Sequence, residues 1–72
     1  MDLIEIKQKE RLGREEVAAR LRAIADQLSR HNEVEFDRDG MRIRAHVPDD
    51  VDFKVEFEID DDGTELELEL TW

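Results

Sequence analysis

The 72-residue sequence predicts an α+β domain in which one amphipathic helix packs on a five-stranded, mainly antiparallel sheet, in the order β-α-β-β-β-β. Three observations lead there. Apolar and polar residues alternate over two consecutive runs, Val51 to Ile59 and Leu66 to Trp72; two Asp-Gly pairs stand where tight turns are needed; and the stretch 13–30 switches to a helical period. A chain of this length holds one small domain, residues 1–72, which buries only roughly 60% of its unfolded surface.

Each element follows in order. Ile4 and Ile6 alternate with Glu5 and Lys7, as in a first strand. Val17, Leu21, Ile24 and Leu28 then form an apolar stripe beside Ala18 and Ala25, with charged residues elsewhere around the helix. Gly13 reads as the N-cap, Glu16 as the N3 residue reaching back to it, and Leu12 as a staple on Val17; Asn32 reads as the stop. A type I′ turn at Asp39-Gly40 sets Phe36 opposite Ile43 and Val34 opposite Ala45. On the other side of that hairpin Asp37 faces Arg42 and Glu35 faces Arg44, so opposite charges meet. Pro48-Asp49-Asp50 turns the chain from the third strand, 41–47, into the fourth, 51–60. With Asp62-Gly63 at the centre of a second I′ turn, Ile59 faces Leu66, Phe57 faces Leu68, Val55 faces Leu70 and Phe53 faces Trp72.

Charge narrows the class of function. Eleven basic against 21 acidic residues give −10, which disfavours nucleic acid and anionic membrane surfaces as partners. Residues 1–32 are nearly balanced; residues 33–72 carry four basic and fifteen acidic side chains, a net of −11. Cysteine is absent, which removes disulfides, thiolate nucleophiles and Cys-ligated zinc. The start alternates charge with aliphatics, unlike a signal peptide, and no run approaches a membrane span, so a soluble cytoplasmic domain is expected.

The outer face of the last hairpin is the informative surface. Glu58 is expected opposite Glu67, Glu56 opposite Glu69 and Asp60 opposite Glu65, pairings of like charge that destabilise a ladder. Relief is expected from Arg42 and Arg44 on the third strand and from Lys7 and Lys9 on the first. That arrangement implies a sheet order of second, third, fourth, fifth, first. Glu56, Glu58, Glu65, Glu67 and Glu69 are the candidate interaction face, against the plainer alternative of a solvated surface that discourages edge aggregation. Trp72 is expected inward, either as a plug closing the core beneath the helix or as an anchor for another chain.

Catalysis finds no constellation. His31 falls at the helix end and His46 on an outward strand position; with one serine and neither tyrosine nor cysteine, no nucleophile stands beside a base. No catalytic residue, cofactor site or metal site is assigned, and the chain is expected not to be an enzyme. Glu58, Asp60, Asp62, Gly63 and Glu69 imitate the spacing of an EF-hand loop, but strands flank them where an EF-hand has helices.

Glu5-Ile6, the helix segments Arg14-Glu15-Glu16-Val17-Ala18 and Leu21-Arg22-Ala23-Ile24-Ala25, the Val47-Pro48 step and the run Glu65-Leu66-Glu67-Leu68-Glu69-Leu70-Thr71-Trp72 together resemble the small archaeal and bacterial amphi-Trp domain proteins. The resemblance spans essentially the whole chain; Gly13 departs from it where Ser or Thr is expected. It brings no activity, cofactor or catalytic residue to this chain. The expectation for function is a protein-interaction or homo-oligomerisation module, with a protein partner or a second copy as the occupant. The alternatives are an acidic domain that responds weakly to divalent cations and a mimic of nucleic-acid charge.

Overall fold

The computed structural model describes residues 3–72. It contains a helix α1 (Arg14–His31) and four strands, β1 (Glu33–Arg38), β2 (Met41–His46), β3 (Asp52–Asp60) and β4 (Gly63–Thr71). Gly13 caps α1 in an extended conformation, and its carbonyl accepts the Val17 amide at 3.1 Å. Glu16 turns to Arg20 at 3.7 Å, and Arg20 also holds Glu10 at 3.0 Å, which ties the preceding segment to the helix. Asn32 ends α1 in the left-handed conformation, φ 53°, so the chain reverses directly into β1.

The first hairpin forms in its expected register. Asp39 and Gly40 both have positive φ, 51° and 79°, as a type I′ turn requires, and Phe36 pairs with Ile43, Val34 with Ala45. Arg42 reaches Asp37 at 3.0 Å and Glu35 at 2.9 Å, and Arg44 reaches Glu35 at 3.1 Å. The hydrogen bond to Asp37, together with the charges of Asp37 and Glu35, raises the Arg42 guanidinium above its ordinary pKa.

The second Asp-Gly pair behaves differently, and this corrects the expected register. Asp60 accepts the Asp62 amide on Oδ1 at 2.8 Å, an Asx turn that makes Asp61 and Asp62 the central residues and leaves Gly63, φ 144°, as the first residue of β4. Asp62 therefore avoids the positive φ that a type I′ turn would impose. Pairing shifts by two residues: Phe57 lies opposite Leu66, Val55 opposite Leu68 and Phe53 opposite Leu70. A two-residue shift preserves strand parity, so every apolar side chain stays on the same face.

The single five-stranded sheet is not formed. The four strands make two separate antiparallel pairs, β1-β2 and β3-β4. After β2, the Val47 amide donates to the Asn32 carbonyl at 2.8 Å, adding one rung to the first hairpin, and Pro48 then offers no donor. The ladder stops there, and β3 begins without a neighbour in β2. The expected first strand is also absent: residues 4–9 form no ladder, and Leu3, Ile4 and Ile6 line a shallow depression with Met41 and Ile43 instead of lying beside β4. Two alternating isoleucines contribute apolar contact without fixing a strand.

Packing is correspondingly open. The helix lies against β1, where Gln27 Oε1 accepts the Glu35 amide at 3.2 Å, and it does not pack on β3 or β4. Among the described residues only Val47, at 8% exposure, is buried. A folded monomer of 8.5 kDa should expose about 4,650 Å², whereas this chain exposes 6999 Å². The radius of gyration is 14.2 Å against about 11 Å for a compact chain of this length. The excess is spread over the molecule: besides the β3-β4 hairpin, Leu3 and Ile4 before the helix, Val17, Leu21 and Ile24 on α1, and Met41 on β2 are all exposed.

Candidate interaction surface

The β3-β4 hairpin presents two faces of opposite character because successive side chains of a strand alternate between its sides. One face holds Phe53, Val55, Phe57 and Ile59 from β3 and Leu66, Leu68 and Leu70 from β4. All but Leu70 are exposed, at 46–69%. Exposed apolar side chains in isolation are ordinary, but a contiguous patch of this size on one sheet face is not.

The other face carries the candidate glutamates. Glu58 stands opposite Glu65 and Glu56 opposite Glu67, whereas Glu69 lies opposite Lys54. Two like-charge pairs thus remain, with partners changed by the two-residue shift. Lys54 Nζ lies 3.6 Å from Glu56 and is the only basic side chain in the hairpin. The expected basic borders do not adjoin this face: Arg42 and Arg44 pair with β1 carboxylates, and Lys7 pairs with Glu5 at 3.1 Å. With Asp52 and Asp60, the outer face has seven carboxylates and one ammonium, a net of −6.

Around the turn, Glu58, Asp60, Asp62, Thr64 and Glu65 line a shallow depression. Among the described residues, no three His, Asp or Glu side chains converge as a set of metal ligands. Likewise no helix among them is long and apolar enough to cross a membrane.

Trp72 neither faces Phe53 nor plugs a core beneath the helix. It lies just past β4, 55% exposed, and its indole Nε1 donates to the His46 carbonyl at 2.9 Å. That bond links the open end of the second hairpin to the end of the first. Leu28 of α1, Val47, Pro48 and Val51 of the connection between β2 and β3, and Leu70 of β4 together line a depression. The roles of Val47 and Gln27 were not foreseen; the Val-Pro step was the available signal for Val47, and a glutamine in the last turns of an otherwise apolar stripe gave none.

No curated protein and no solved structure matches the chain. The family model for the Amphi-Trp domain matches residues 1–72, the whole chain. The chain belongs to the Amphi-Trp domain family.

Proposed function

We propose that this chain is a non-enzymatic protein-interaction module whose contact element is the β3-β4 hairpin. One observation carries the proposal: no element among the described residues covers the apolar face of that hairpin, with Phe53, Phe57 and Leu66 each 63% exposed. Burial of apolar surface is the main favourable term in association, and a contiguous apolar face rimmed by charge is the usual signature of a binding surface. The acidic outer face supports the same role by keeping the other side of the hairpin in water.

The chain contains no cysteine, so a single introduced thiol is a unique probe. Val55→Cys is nearly isosteric and sits at the middle of the apolar face. At high dilution its labelling by a thiol reagent should proceed at nearly the rate of an unstructured peptide. Labelling slowed a hundredfold or more in a chain that sediments as a monomer would mean that the chain covers its own face, and would refute the proposal.

A further inference from the structure

We infer that the occupant of the apolar face is a second copy of this chain, packed hairpin on hairpin across a twofold axis; the inference rests on the interaction role proposed above. Area is the first reason. The surface in excess of a folded monomer is about 2,300 Å² per chain, and permanent homodimers remove about 1,000–2,500 Å² from each partner. That surplus, to which the hairpin face contributes together with the segment before the helix and the helix stripe, falls in the range such a dimer would bury.

Charge is the second reason. Phe53, Val55, Phe57 and Ile59 on β3, with Leu66 and Leu68 on β4, include no charged or hydrogen-bonding side chain, so the face is complementary to itself. In a twofold contact the same patch meets itself. The outer face cannot serve, because it would set −6 against −6. Stacked apolar faces, about 10 Å apart as in other sheet-on-sheet packings, send both acidic faces outward to opposite sides of the dimer. The chain's own helix does not cover this face: its contact is with β1, held by the Gln27 to Glu35 bond.

Linkage supplies a direct consequence. With one buried residue among those described, most of the apolar burial would come from association, so folding stability should depend on protein concentration. Because each copy carries −10, added salt should strengthen the dimer by screening repulsion, whereas it would weaken docking to a basic partner.

The test is sedimentation and light scattering, with thermal midpoints measured over a hundredfold range of concentration. A mass of twice 8.5 kDa, a midpoint that rises with concentration and tighter association at high salt are expected. Val55→Cys labelling should slow as concentration rises. Phe57→Lys and Glu67→Gln change the net charge equally, yet only Phe57→Lys, on the apolar face, should raise the dissociation constant, by about a hundredfold or more because a symmetric interface loses the side chain twice. Should Phe57→Lys fail to fold, wild-type nuclear Overhauser contacts between differently labelled copies, from the Phe57 ring to leucine methyl groups of β4, decide the same point. A monomer at all concentrations with Val55→Cys always labelled quickly would overturn the dimer while leaving the interaction role standing. Slow labelling of a chain that sediments as a monomer would sink both. A dimer lost in Glu67→Gln but kept in Phe57→Lys would also overturn the inference.

Discussion

Replacing Trp72 by phenylalanine removes one hydrogen-bond donor while retaining most of the aromatic surface, which isolates the 2.9 Å bond from the indole to the His46 carbonyl. A net intramolecular hydrogen bond contributes about 0.5–1.5 kcal/mol, and the exposure of this pair puts the expected cost toward the lower half, about 0.5–1 kcal/mol. For a chain of this size that is a fall of about 2–8 °C in melting temperature. Trp72→Ala removes the ring as well. A tryptophan side chain carries about 150–250 Å², and Trp72 is 55% exposed. The buried part is therefore about 70–110 Å², and its loss costs a further ~2 kcal/mol at 25 cal/mol per Å². Thermal melts followed by circular dichroism, at one fixed protein concentration for all variants, make the comparison. A Trp72→Phe melting point within about 1 °C of wild type would refute the view that the indole N–H ties the hairpins together.

Two further perturbations test the local structure. Asp60→Ala deletes the acceptor of the Asp62 amide, so the hairpin should populate the alternative register with Asp62-Gly63 at the turn; cross-strand contacts between Glu58 and Glu67 would then appear, and their complete absence would show that the Asx turn does not decide the register. Gly13→Ser places a side-chain acceptor at an N-cap whose conformation, φ −67° and ψ 152°, suits serine and whose added Cβ meets nothing within 4 Å. Stability should rise by a few tenths of a kcal/mol in urea titrations, and a loss would contradict the assigned cap.

How much of this was legible beforehand differs element by element. The helix ends could be read because Gly13 and Asn32 act through their own backbone conformation. The first hairpin could be read because Asp39-Gly40 supports two consecutive positive φ values and because four charged side chains pair across it. The identical dipeptide at Asp62-Gly63 misled, since the carboxylate of Asp60 competes for the turn and nothing in the apolar alternation registers a shift by two. The candidate glutamates were therefore placed on the correct face with wrong partners. For Trp72 the pairing with Phe53 and the core plug do not hold, since it is 55% exposed and bonded to His46; that bond spans 26 residues, and no local pattern encodes it.

By itself, then, the amino-acid sequence determined what depends on neighbours along the chain: the helix and its caps, the four strands of the two hairpins, and the division of the last hairpin into an apolar and an acidic face. Tertiary structure alone decided which faces are covered. Helical and strand periods report which side of an element is apolar, but not whether another element reaches it. That depends on the Val47-Pro48 step ending the ladder after β2, on Gln27 holding the helix to β1, and on Trp72 fixing the corner from which β3 and β4 extend, leaving an apolar face that the chain's own four-residue helical stripe does not reach.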